Sequence, residues 1–157
     1  MKSLLTQIVL ICLSFTSLTS DRSPLKVEKD AAVYRLLNHY HHYDELTELL
    51  SAWSSNNTRM ARLFTVGQSA EGKQLNVIRL TLPMPAENEE IHDEYQLLKP
   101  KFKWIANMHG DETIGREIMI ALIYYLILNS NTDTRVNQLL TSTDIYIMPT
   151  MNPVKIE

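Results

Sequence analysis

The sequence predicts an α/β layered fold built on a mixed β-sheet, and three patterns carry that expectation. Two β-rich runs, residues 59–67 and 73–81, flank a turn containing Gly72, which is a hairpin signature. A second pair of β-like runs, Lys101–Met108 and Asp144–Pro149, brackets two helical segments. In the first of those segments all eleven residues from Ile118 to Leu128 are apolar or Tyr, the pattern of a helix enclosed by protein on most sides. It is too short to span a bilayer.

The elements follow in order. Residues 21–37 read as a polar lead-in. Tyr43, Leu46, Leu49, Leu50 and Trp53 then recur at helical spacing, with Asp44 and Glu45 where a helix N-terminus favours negative charge, so a helix is predicted over 43–54. Asn56-Asn57-Thr58 ends it and forms an N-glycosylation sequon at Asn56. His39, His41 and His42 are read as solvent-facing imidazoles, because no carboxylate or cysteine stands at ligand spacing beside them. The stretch from Leu82 to Pro100 is bounded by prolines and acidic, a surface loop. Lys101–Met108 is predicted as a buried strand and 114–128 as the core helix, stopped by Asn129-Ser130-Asn131. Val136, Leu139 and Leu140 mark a short second helix, and a strand over Asp144–Pro149 follows. A ligand in such a fold is expected beyond the carboxyl ends of the strands.

Composition narrows the function classes. With 157 residues, 45% hydrophobic and 21% charged, the chain is sized for one globular domain. Its formal charge of −3 offers no basic field for nucleic acid. Lys2, the apolar run Ile8–Leu13 and the polar stretch ending Ser17-Leu18-Thr19-Ser20 read as a secretory signal peptide over residues 1–20. Its removal takes away Cys12, the single cysteine. The mature chain then has neither a disulfide nor a thiolate ligand, so any metal site must be built from His and carboxylates.

The chemistry concentrates at His109-Gly110-Asp111-Glu112, where the Lys101–Met108 strand gives way to the core helix. A His and a Glu three residues apart at such a junction can place an imidazole nitrogen and a carboxylate on one metal ion, a donor mixture that suits catalytic zinc. Gly110 is expected to allow the tight turn. The competing reading is structural: Asp111 or Glu112 satisfies first-turn N–H groups of the helix, and His109 is an ordinary edge residue.

Four ordered blocks resemble the N-terminal part of a zinc metallocarboxypeptidase, nearest the regulatory subfamily of carboxypeptidases E, N, M and D. They are His42-Tyr43-Asp44-Glu45-Leu46-Thr47, Val66–Leu75, Asn107–Glu117 and Ile147–Pro153. The resemblance implies a three-layer α/β sandwich with a mixed β-sheet flanked by helices, occupying residues 38–157 and incomplete at the C-terminus. It also implies one Zn2+ held in part by His109 and Glu112, and release of a C-terminal residue, often Lys or Arg, from peptide or protein substrates. A third ligand, the general base and the residues that hold the substrate carboxylate lie further downstream in that family. The 157-residue chain by itself is therefore expected to be inactive.

The family usually continues Asn-Pro with Asp-Gly, whereas Pro153 here is followed by Val154-Lys155-Ile156-Glu157. Val and Lys codons are compatible with GTAAA, a splice-donor-like string, so intron read-through, a truncated isoform or an incomplete gene sequence is expected. The implied localisation is secreted or within the secretory pathway. Two other functions compete: a non-catalytic secreted binding protein that keeps the fold, and a plain α/β domain with a chance His-x-x-Glu.

Overall fold

The computed structural model describes residues 24–85 and 98–153. The expected signal peptide, most of the acidic loop and the residues after Pro153 lie outside them. Eight elements follow in sequence: α1 (Pro24–Leu36), α2 (Tyr43–Asn56), β1 (Ala61–Gln68), β2 (Gln74–Leu80), β3 (Lys101–Ile105), α3 (Ile114–Asn129), α4 (Thr134–Ser142) and β4 (Asp144–Met148).

The four strands form one mixed sheet in the order β1-β2-β4-β3. β1 and β2 are the predicted antiparallel hairpin, with Gly72 at φ +77° in its turn, a conformation that glycine adopts at little steric cost. β4 runs antiparallel to β2 and parallel to β3. A parallel pair needs a crossover, and α3 with α4 supplies it. The carboxyl ends of β3 and β4 therefore lie together.

One face of the sheet carries the core. Ala61, Ile78, Leu80, Ile145 and Ile147 pack there against Leu46, Leu50 and Trp53 of α2, Ile120 and Ile123 of α3, and Leu140 of α4. Trp53 stacks on Tyr124 at 5.4 Å between ring centroids. Each fully buried Leu or Ile contributes about 1.5–3 kcal/mol relative to leaving it in water. The register puts Arg62, Arg79, Tyr146 and Lys103 on the opposite face, where Arg79 pairs with the buried Asp144 at 2.6 Å.

Three local expectations change. Residues 24–36, read as part of a polar lead-in, form a helix that packs along α3. Pro24 opens α1, a position where its missing N–H is harmless. Lys29 Nζ donates to the Leu128 carbonyl at 2.6 Å, placing a cation at the carboxyl end of α3.

The second change is at β3. It is an edge strand with all five residues exposed, where a buried strand was expected. Its register aligns Phe102 with Ile145 and Trp104 with Ile147, so both face the helix layer. Even so, Phe102 is 49% and Trp104 37% exposed.

The third concerns the histidines. His39 and His42 are exposed as read from the sequence, but His41 is buried at 3% exposure. Its backbone N–H donates to Glu117 Oε1 at 3.0 Å, and its Nδ1 is bonded to Glu117 Oε2 at 2.6 Å. Glu117 lies 76 residues away in sequence. The physical reason for the burial is that a buried carboxylate needs donors, and His41 is brought to it by the start of α2.

Candidate metal centre

The candidate site forms where the chain leaves β3. Ala106 N donates to the Met148 carbonyl at 3.0 Å, extending the parallel pairing by one residue. Met151 N then donates to the Ala106 carbonyl and Asn152 N to the Asn107 carbonyl, at 3.0 and 3.1 Å. The two segments that follow β3 and β4 are thereby laced together.

Asn107 turns the chain. It is 5% exposed and sits at φ +50°, in the left-handed region that Asn tolerates better than most residues. The sequence assigned the tight turn to Gly110, yet the left-handed residue is Asn107. Among the described glycines only Gly67 and Gly72 have positive φ.

His109 and Glu112 follow on one turn, with Glu112 N donating to the His109 carbonyl at 3.0 Å. Both side chains are exposed, and among the described residues neither is engaged by a hydrogen bond or ion pair. α3 begins two residues later at Ile114, and its first turn packs close to the strand end. A methyl group on Gly115 would sit 3.4 Å from Ala106 Cβ.

The structure weighs the two readings of this turn against each other. The N-cap residue Thr113 makes no side-chain cap bond, and among the described residues neither Asp111 nor Glu112 bonds to the first-turn N–H groups of α3. An imidazole and a carboxylate stand free at the carboxyl ends of a parallel strand pair, and this donor set fits zinc. Among the described residues no group of three His, Cys, Asp or Glu converges to hold a metal, the His39–His42 cluster included.

Behind the turn lies a buried polar layer that sequence reasoning missed. Arg116 and Glu117 of α3 are 5% and 6% exposed, and Arg116 Nε donates to Glu117 Oε1 at 3.3 Å. With His41 they tie the entrance of α2 to the first turn of α3. Two charges on an otherwise apolar helix were the available signal, though their partner could not be read from spacing. Asn56 lies apart from the site as the exposed last residue of α2.

Comparison with known proteins identifies the family. The zinc carboxypeptidase family matches residues 46–153. Mouse carboxypeptidase D is 36% identical over 115 residues, covering 73% of this chain and 8% of that protein. Mouse carboxypeptidase M is 36% identical over 114 residues, with 73% and 24% covered. Carboxypeptidase E of Caenorhabditis elegans is 38% identical over 117 residues, with 73% and 23% covered.

Among solved structures, thrombin activatable fibrinolysis inhibitor superposes with a TM-score of 0.62 at 18% identity, over 73% of this chain and 26% of that one. Carboxypeptidase A from Helicoverpa armigera gives 0.58 at 19% identity, over 73% and 25%. The likeness to these two is one of fold. The chain belongs to the zinc carboxypeptidase family, and it spans between 8% and 24% of the length of the curated relatives named above.

Proposed function

We propose that this chain supplies the His109/Glu112 part of a zinc site in a secreted metallocarboxypeptidase that removes C-terminal residues, Lys or Arg by preference, from peptides and proteins. The observation that carries the reading is the free, exposed pairing of His109 and Glu112 on one turn beside the carboxyl end of β4. The preference for basic residues rests on the resemblance of the four sequence blocks to the regulatory subfamily.

His109 would donate a neutral imidazole nitrogen and Glu112 a carboxylate oxygen. Zinc, when bound, acts as a Lewis acid on the scissile carbonyl and lowers the pKa of bound water. The exposure of both side chains leaves room for a substrate C-terminus to approach. Two donors hold zinc weakly, because catalytic sites use three protein ligands. Among the described residues no third donor converges with them.

A second reading is a secreted binding protein that keeps the fold and lost the chemistry. Retention of both donors weighs against it. Residues 1–20 and the exposed Asn56 sequon support secretion and glycosylation, and no helix among the described residues is long and apolar enough to cross a membrane.

Zinc titration followed by NMR at the backbone amides of residues 108–112, in the wild type and in both variants, tests the proposal. Saturable shifts that vanish in His109→Ala and Glu112→Ala support the metal site. A wild-type chain indistinguishable from His109→Ala would overturn it and favour the binding protein.

A further inference from the structure

We propose that Asn107, oriented by Thr150, is the positioning residue that holds the His109–Glu112 turn in metal-binding geometry; this rests on the zinc reading above. Its side-chain amide faces the turn from inside. Its two N–H groups are shared among the carbonyls of His109 at 2.9 Å, Gly110 at 3.2 Å and Glu112 at 3.2 Å from Nδ2. One NH2 group thus gathers three of the four carbonyls from His109 to Glu112, including those of both proposed ligands.

The amide has two ways to face: the three carbonyls can only accept and so fix the NH2 on their side, and Thr150 anchors the oxygen on the other. Thr150 Oγ1 donates to Asn107 Oδ1 at 2.7 Å, and both residues are buried. With the amide oxygen on its side the hydroxyl acts as donor and pins the amide from behind. Thr150 in turn is held beside the site by the Met151 and Asn152 backbone bonds to residues 106 and 107. The segment after β4 therefore acts on the ligands without touching them. Small misplacements matter here, because a metal site tolerates only about 0.5 Å of error in its donors.

The substitutions separate backbone from side-chain effects. Asn107→Gly keeps access to positive φ and removes the amide. Asn107→Asp keeps the shape but turns an acceptor toward three carbonyl oxygens. Thr150→Val removes the hydroxyl at constant shape, and Thr150→Ser retains it.

The measurement is NMR on the 157-residue chain, first metal-free and then titrated with ZnCl2. Without metal, backbone order parameters of residues 108–112 should fall from about 0.85 toward 0.6 in Asn107→Gly and Thr150→Val, and stay at the wild-type level in Thr150→Ser. With zinc, the apparent Kd read at His109 should rise about tenfold or more in both Asn107 variants, by the scale seen for residues that support metal ligands. Thr150→Val should weaken binding several-fold and Thr150→Ser less than twofold.

A purely structural Asn107 would lower Tm while leaving the order of 108–112 and the zinc Kd unchanged, and that result overturns the inference. Should the Asn107 variants fail to fold, the Thr150→Val and Thr150→Ser pair decides it alone. A wild type that does not respond to zinc removes the metal reading, whereas unchanged order in metal-free Thr150→Val removes the positioning role.

Discussion

The His41–Glu117 contact offers the most direct test of how the site is anchored. Glu117 is buried with its carboxylate accepting from the His41 N–H, from the imidazole at 2.6 Å and from Arg116 Nε at 3.3 Å. His41→Ala removes the imidazole and leaves the other two donors in place. Leaving a buried carboxylate without any compensating donor costs about 3–5 kcal/mol. Arg116 and the His41 backbone still compensate, so a loss nearer about 1.5–3 kcal/mol, the worth of one hydrogen bond to a charged group, is expected.

Glu117→Gln keeps the side-chain shape and removes the charge. A double-mutant cycle of His41→Ala with Glu117→Gln, read by urea unfolding at constant m, isolates the pair. A coupling of about 1–3 kcal/mol is expected for residues in direct contact. Coupling below about 0.5 kcal/mol would show that the contact contributes only shape, and would refute the argument that His41 is buried to satisfy Glu117.

Three further predictions follow from particular groups. Burial holds the Lys99 amine below its ordinary value of 10.5, with Asp144 opposing and Arg79 reinforcing the shift. The unfolded chain then binds more protons, so this contribution to stability grows as pH rises toward 10.5. The stability of the wild type relative to Lys99→Met should therefore increase between pH 8 and 10, and a pH-independent difference in urea midpoints would contradict this. Tyr125 and Tyr146, whose phenols burial raises above 10.0, reverse the trend at higher pH as the unfolded chain ionises first.

Glu45 is held below its ordinary 4.5 by the His42 N–H, which donates to its carboxylate at 2.8 Å. That contribution is present above pH 4.5 and lost as pH falls through the folded value, so Glu45→Gln should flatten the acid side of the stability profile. Iodide should quench the half-exposed Trp104 and spare the buried Trp53, so Trp104→Phe should abolish most of the quenching. Equal quenching of both indoles would contradict the edge position of β3.

Much of the fold was legible because its signals are local. The helical spacing of Leu46, Leu50 and Trp53, the hairpin runs and the apolar stretch to Leu128 each announce one element, and each lies close to its expected bounds. His109 and Glu112 were legible for the same reason, since three residues of separation place them on one turn. Other assignments failed where a distant partner decided the outcome. Residues 24–36 carry little apolar periodicity, and their helix is docked on α3 through tertiary contacts such as Lys29 to Leu128. β3 has the composition of a buried strand but occupies an edge, and nothing within five residues can specify a position in a sheet.

By itself the sequence determined the α/β class, the hairpin and the core helix, because each depends on periodicity or spacing over a few residues, while its four blocks resembling a known family pointed to His109 and Glu112 as candidate zinc donors. The tertiary structure alone decided that Asn107 makes the turn, that Thr150 orients it, and that His41 meets Glu117 beneath it. Those contacts join residues 43 and 76 positions apart, and only the folded sheet brings them within hydrogen-bonding distance.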